Sequence, residues 1–254
     1  LVIEGAHFQP GLHPAGALGH KVLARGLSDI AAMGGTPAYA LLSLCLPPWA
    51  GPGWQNQFLA GLFRLAQRCR VRLVGGDLAA GKHFAADIVL LGWVRKGHAL
   101  RRNAAKPGDV LYVSGQLGGS ALGLKRQLAF GSARDAAVRR HLYPDPRLAL
   151  GRYLAQKLGV CAAMDISDGL SIDLFRLAKE SRVGAEVRLG DVPVFPGAST
   201  EQALHGGEDY ELLFTAPPKR RVPPSFQGIP LTAIGVITSG RGINLPVRGF
   251  QHAV

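Results

Sequence analysis

The sequence predicts an α/β (α+β) protein of two domains, each built of mixed sheets flanked by helices. The first half alternates strand-length apolar runs with segments of helical spacing, which is the pattern of helices laid on a sheet. Lys106-Pro107-Gly108-Asp109 then punctuates the chain, and a second series of strands and helices begins behind it. The division falls into residues 1–107 and 108–254. A content of 47% hydrophobic and 18% charged residues belongs to a globular chain able to bury a sizeable core.

Residues 1–4 read as the end of a strand, followed by a Gly/Pro/His loop to about Pro14. Leu18, Val22, Leu23, Leu27 and Ile30 recur at helical spacing up to about Met33, where Gly34-Gly35 stop the helix. Residues 38–46 form a buried strand, and Trp54, Phe58, Leu62, Phe63 and Ala66 mark a second helix. A short strand over 71–74 ends at Gly75-Gly76-Asp77, and another covers 88–94. In the second half the strand 110–114 passes through a glycine turn into a helix over 120–129. A helix over about 146–157, a strand over 161–166 and a helix over 169–179 follow, with further strands near 185–189, 210–215 and 231–237. No short-period repeat is present.

Composition narrows the function classes. The chain carries 29 Lys+Arg against 17 Asp+Glu, a net charge of +12 that suits anionic partners, whether nucleic acid or small phosphorylated molecules. Its basic residues are spread, with short clusters only at Arg139-Arg140-His141 and Lys219-Arg220-Arg221, and no RNA-binding signature or zinc-finger spacing occurs. Solvated basic faces are therefore expected, without a nucleic-acid partner. The longest apolar run, 38–46, is cut by Pro47-Pro48 and falls short of the roughly 20 residues of a membrane span. Cys45, Cys69 and Cys161 are odd in number and far apart, which fits a reducing cytoplasm better than a disulfide framework.

In so acid-poor a chain, each acidic cluster matters. Two glycines before Asp77 would let the backbone turn tightly and set the carboxylate at a strand tip, although an ordinary turn aspartate reads the same. In Met164-Asp165-Ile166-Ser167-Asp168-Gly169 a strand delivers Asp165, and Ser167 or Asp168 is placed to cap the next helix. Asp29 stands within a largely apolar helix, where burial without a cation would be costly. Such carboxylates, without His/Cys clusters, favour a hard ion such as Mg²⁺ over zinc, and hence phosphate chemistry. Yet no GxxxxGK[ST] loop, kinase HRD/DFG pair or GxGxxG motif after a strand accompanies them. Gly115-Gln116-Leu117-Gly118-Gly119-Ser120 joins a strand to a helix, as a phosphate cradle or a plain turn.

The stretches LVIEGAHF, LSDIAAMGG, LVGGD, ALRRNAAKPGD, MDISDGL and HGGEDYELLF, in this order over nearly the whole chain, closely resemble the thiamine-monophosphate kinases. That family belongs to the aminoimidazole-ribonucleotide-synthetase-related ATP-binding superfamily. GGD and DISDGL are shared across the superfamily, whereas GGEDYELLF beside EGAHF points to the kinases. The resemblance implies the two-domain fold of aminoimidazole ribonucleotide synthetase, with ATP and Mg²⁺ in a cleft and the first domain as the ATP- and metal-binding one. It implies phosphoryl transfer from ATP to thiamine monophosphate by a cytoplasmic homodimer. By the same resemblance Asp29, Asp77, Asp165 and Asp168 match metal-binding acids, and Gly76, Asp77, Arg102 and Ser167 match ATP contacts, with Arg101 as the substitute if the register slips by one. Arg102 and Asp77 would carry catalysis. His7, Glu208 and Phe250 match substrate contacts, Glu208 facing the cationic thiazolium and Tyr210 to Phe214 forming the buried strand behind it.

Two departures from the family pattern stand out. Leu78-Ala79 replace a usual Thr pair after GGD. The family's glycine-rich, acidic amino-terminal segment would precede Leu1, and the natural protein is expected to carry roughly 40 to 50 such residues, mobile until cation and nucleotide arrive. A sister ATP-dependent synthetase and a non-catalytic basic nucleic-acid-binding module are the competing readings, separated by substrate choice and by salt-dependent binding.

Overall fold

The computed structural model describes residues 1–130, 135–160 and 162–249. Among the described residues there are two sheets. The first has four strands, β1 (Val2–Ile3), β2 (Thr36–Leu46), β3 (Arg72–Ala80) and β4 (Ala85–Trp93), in the order β1-β4-β2-β3. Helices α1 (Ala15–Ala32) and α2 (Pro52–Cys69) pack together on its inner side. Alternation along β2 decides which side is inner: Ala40 and Leu42 are buried, while Tyr39 and Leu41 face out.

The second sheet contains β5 (Val110–Ser114), β6 (Ala162–Ile166), β7 (Gly184–Val187), β8 (Glu211–Ala216), β10 (Ile229–Thr238) and β11 (Gly242–Ile243), ordered β11-β7-β10-β5-β8-β6, with β9 (Ser225–Phe226) paired to β10. Around it lie α3 (Gly119–Phe130), α4 (Ala136–Leu142), α5 (Leu148–Tyr153), which runs on through a π-helical turn at Leu154–Leu158, α6 (Leu170–Ser181) and α7 (Thr200–His205). The sequence pattern omits α4 and α7. Both are short and rest on local caps, Asp135 accepting from Ala137 and Val138 N–H, and Ser199 with Gln202 closing a capping box.

Helix α1 is the hub. Leu18, Val22, Leu23 and Leu27 are buried in one core with Phe58 and Leu62 of α2, Leu150 of α5, and Leu212 and Phe214 of β8. Each such side chain contributes about 1.5–3 kcal/mol on burial. A second core joins Leu111 and Val113 of β5 to Met164 and Ile166 of β6 and to Leu170, Leu174 and Leu177 of α6.

Beside these cores sits a buried charge cluster. Glu211, fully buried at the start of β8, accepts from Ser114 Oγ at 2.6 Å and from Arg147 Nε and Nη2 at 2.8 and 2.5 Å, and it also pairs with Arg140. Removing one member of such a cluster strands the others. Glu211→Gln is therefore expected to destabilise the fold by about 3 kcal/mol, read as a lower urea midpoint at unchanged slope.

Candidate active site

The helical repeat of α1 sets Lys21, Arg25 and Asp29 at four-residue intervals on one side, with Ser28 beside them. Lys21 is buried, and its Nζ donates to Glu208 Oε2 at 2.6 Å and lies 3.4 Å from His141 Nε2. Burial alone would raise the Glu208 carboxyl, but the Lys21 ammonium, by its charge and its hydrogen bond, outweighs it and holds the group below its ordinary value. Burial and the Lys21 charge press His141 down to about 3, so its imidazole is neutral. That ring is tied to Ser120 Oγ at 3.0 Å and to His13 Nε2 at 3.2 Å.

Two loops meet at this point, Ser167-Asp168-Gly169 after β6 and the segment from Gly206 to Tyr210 before β8. Glu208 N–H donates to the Ser167 carbonyl at 2.7 Å, and Tyr210 N–H to that of Ile166 at 2.9 Å. A Cβ on Gly207 would stand 2.8 Å from the Ser167 carbonyl oxygen, so the loops can approach only with glycine there. Glu208 and Tyr210 adopt left-handed φ values of 66° and 51°, a conformation that costs each about 1 kcal/mol or more.

The capping expected of Ser167 or Asp168 falls to another residue. Asp173, in the first turn of α6, reaches back so that its Oδ2 accepts the N–H groups of Ser167, Asp168 and Gly169 at 3.0, 2.9 and 3.2 Å. Asp168 instead pairs with Arg176 at 2.5 Å. Asp209 caps the start of α3, accepting from Gly118 and Ser120 N–H at 2.6 and 3.0 Å. Burial, opposed by those two bonds, still raises its carboxyl to about 6.

These loops enclose a cavity of about 280 Å³ whose wall includes His7, Arg25, Ser167, Asp168, Glu208 and Tyr210. An adjoining recess of about 510 Å³ is lined by Asp29, Arg101, Arg102, Asn103 and Arg176. Since Arg176 lines the recess and Asp168 the cavity, their ion pair stands between the two. Asp29 is exposed rather than buried, yet desolvation by its surroundings raises its carboxyl, against Arg102 and Arg25. Behind it Asp165 is buried and accepts from Ser28 Oγ at 2.7 Å; burial and the nearby Asp29 charge push its carboxyl up to about 7.

Asp77 does not lie at a strand tip. β3 continues through Gly75-Gly76-Asp77 to Ala80, paired in parallel with β2, and a Cβ at Gly76 would come 1.7 Å from the Leu42 carbonyl oxygen. Glycine here serves strand contact. Gly76 and Asp77 line a separate groove of about 450 Å³ with Leu42, Leu44, Trp54 and Phe58, and Asp77 Oδ1 accepts from Leu78 N–H at 2.9 Å. Among the described residues no group of three or more His, Cys, Asp or Glu is placed to hold a metal. Asp29 and Asp165 come together, Asp77 lies on the separate groove, and Asp168 lines the cavity in its pair with Arg176. Phe250 lies outside the described residues.

The family model for AIR synthase related protein, N-terminal domain, matches residues 1–94, and that for the C-terminal domain matches residues 106–248. Thiamine-monophosphate kinase of Escherichia coli (strain K12) is 37% identical over 278 residues, covering 99% of this chain and 84% of that protein. The crystal structure of thiamine-monophosphate kinase from Stenotrophomonas maltophilia K279a superposes with a TM-score of 0.88 at 35% identity, over 98% of this chain and 84% of that one. The chain belongs to the thiamine-monophosphate kinase family. A structure of AaThiL complexed with AMPPCP and TMP gives a TM-score of 0.90 at 31% identity, over 99% of this chain and 85% of that one. The two-domain AIR synthase related fold expected from the motifs is thereby shown.

In this family member the cavity and recess also use residues that the motif reading passes over: Lys21, Arg25, Ser28, Asp173 and Arg176. Lys21 carried a usable signal. It lies three residues after Leu18 and beside Val22 on the apolar face of α1, so the cost argument applied to Asp29 applied to it with more force.

Asp165 supplies a pH test in metal-free buffer. Its folded-state value, about 7, lies above the ordinary 3.8, so the fold holds this proton more tightly than the unfolded chain does. The resulting penalty is absent below about pH 4, grows as the unfolded chain deprotonates, and levels off above about pH 7 at roughly 4 kcal/mol as an upper bound. Asp165→Asn keeps an acceptor for Ser28 and should erase that dependence. Denaturant stability of the two proteins should be similar near pH 4 and favour the variant at pH 8; parallel profiles would remove the buried carboxyl from the account.

Proposed function

We propose that the chain transfers the γ-phosphoryl group of ATP to thiamine monophosphate, giving thiamine diphosphate and ADP, with Mg²⁺ required. The observation that carries this reading is kinship along nearly the whole chain with kinases of that name and with AaThiL, which was solved with AMPPCP and TMP. The site agrees chemically. A phosphate oxygen of the acceptor attacks the γ-phosphorus, and the bond from that phosphorus to the β,γ-bridging oxygen breaks, leaving ADP. The acceptor is already ionised at neutral pH, so no side chain need take a proton from it, and His141, held neutral at about 3 by burial, is not called on as a base.

In this reading His7, Glu208 and Phe250 hold thiamine monophosphate, while Gly76, Asp77, Arg102 and Ser167 contact ATP. Arg102, with Arg101 in the same recess, offsets phosphate charge. Asp29 and Asp165 fit a hard cation, since they offer only oxygen donors and Asp165 is pushed up to about 7 by burial and by Asp29. Asp77, on the separate groove, and Asp168, paired with Arg176, are not gathered with that pair here, and their place in the proposed donor set rests on the family resemblance alone. Bound there, Mg²⁺ would screen the phosphates from one another. In the proposed division, 1–107 is the ATP- and metal-binding unit and 108–254 the second domain, with Asp165, Ser167 and Asp168 reaching the site from the second.

A cytoplasmic homodimer completes the proposal. Among the described residues no helix is long and apolar enough to cross a membrane. The outward face of the four-stranded sheet exposes Tyr39, Leu41, Val89, Leu91 and Trp93, the last at 67%. The strand register sets Tyr39 against Leu91 and Leu41 against Val89, so they form one patch, which a second copy of the same face would cover. Leu91→Glu should shift the sedimentation of the protein from dimer to monomer; a parent that sediments as a monomer would end the dimer proposal.

Chromatography of the full-length protein with ATP, Mg²⁺ and thiamine monophosphate should show thiamine diphosphate rising in step with ADP. Phosphorylation of free thiamine but not of the monophosphate would overturn the assignment. Asp77→Asn should lower kcat by roughly a hundredfold at saturating Mg²⁺ without changing the melting temperature. Near-parental activity would return Asp77 to a purely structural place in β3.

A further inference from the structure

We infer that Lys21 is a positioning residue for substrate charge: it holds Glu208 on the cavity wall so that the site prefers a cationic ring to a neutral ring of the same shape. The inference rests on the thiamine-monophosphate reading above and concerns a residue to which that reading gives no task.

The geometry argues for it by convergence. Lys21 is buried on α1 beside buried Leu18 and Val22, and its Nζ ends against Glu208 and His141, where a methionine would fill the space without a charge to desolvate. Its ammonium meets Glu208 Oε2 at 2.6 Å, and the rest of that carboxylate side chain stays a quarter exposed on the wall of the 280 Å³ cavity. Glu208 is itself set in a left-handed backbone at φ 66°. A buried cation and a strained residue thus meet at one carboxylate on the cavity wall.

Other groups facing Glu208 do not replace Lys21. Arg25 of α1 favours its charge but ranks last among the influences on it. His141 of α4 is neutral, pressed to about 3 by burial and by Lys21, and His13 is lowered by the same two causes. The Tyr210 phenol is raised by burial and stays neutral. His7 and Asp168 complete the titratable wall, and the latter is paired with Arg176. Lys21 is therefore the cation that keeps Glu208 ionised in an enclosed cavity. Without it burial would favour the protonated acid, whose dipole offers little to a cation.

The test compares two ligands within each protein, so that a general loss of affinity cancels. Calorimetry on the full chain would use thiamine monophosphate and the analogue with a neutral ring, in which carbon replaces the quaternary ring nitrogen and the phosphate is kept. The parent should bind the cationic ligand about tenfold or more tighter, roughly 1.4 kcal/mol, and Lys21→Met should bring the ratio near one. The loss should fall on KM for thiamine monophosphate and not on KM for ATP. Relative to the parent at each pH, which cancels titration of the ligand phosphate, affinity of the variant for the cationic ligand should recover as pH rises from about 5.5 to about 8. Lys21→Arg should retain the preference. An unchanged ratio, or a flat pH comparison, overturns the inference while leaving the kinase assignment standing. If Lys21→Met does not fold, Lys21→Gln gives the same reading. A parent that turns over no thiamine monophosphate defeats the assignment and this inference with it.

Discussion

A helix packed on nearly every side cannot carry polar groups unless other parts of the chain answer them. Helix α1 lies between the four-stranded sheet and the β6–β8 edge of the second one, yet it brings Lys21 and Ser28 into that interior. Their partners come from far along the chain: Glu208 for the ammonium and Asp165 for the hydroxyl. Docking the helix and assembling the site are thus one event. A register error on α1 would bury an unpaired ammonium and leave Asp165 without its donor, a penalty of several kcal/mol against misdocking.

The same demand explains an acid-poor chain that gathers three acids into four residues. Glu208 answers Lys21, Asp209 caps α3, and Glu211 answers Arg140 and Arg147. Each faces a different element because the backbone reverses at left-handed Glu208 and Tyr210, after glycines that admit the Ser167 carbonyl. The segment is a junction as well as a wall of the cavity. Its glycines and acids are therefore constrained by the fold even before any ligand arrives.

Periodicity made α1, α2, α6 and the central strands legible, because their apolar faces are long enough for the helical or alternating pattern to show. It failed where a different force decides. α4 and α7 rest on caps over one or two turns, and β3 runs on through two glycines because the parallel pairing with β2 tolerates them. In the site, motif resemblance brought His7, Ser167, Asp168 and Glu208 to one cavity, and Asp29 and Arg102 to the recess beside it. It did not show that Asp173 holds the Ser167-Asp168-Gly169 loop or that Lys21 backs Glu208. Those are long-range consequences of packing, and within a single sequence they appear only as isolated charges on apolar faces.

Thiamine monophosphate has a cationic ring at one end and an anionic phosphate at the other, which no uniformly charged pocket can serve. On the proposed reading the two requirements are met apart: Glu208, paired with Lys21, faces the ring from a wall it shares with Arg25, while Arg101 and Arg102 line the recess with Asp29. Between them Arg176, paired with both Asp168 and Asp173, marks the boundary. A ligand turned end for end would set its phosphate against the Glu208 carboxylate, where low polarity magnifies the repulsion. On the proposed reading, Glu208 at one end and Arg101 and Arg102 at the other would direct the phosphate toward the recess where the nucleotide's own phosphates are proposed to bind. In a reaction between two polyanions that needs no base, directing the acceptor in this way is a large part of what a protein can contribute.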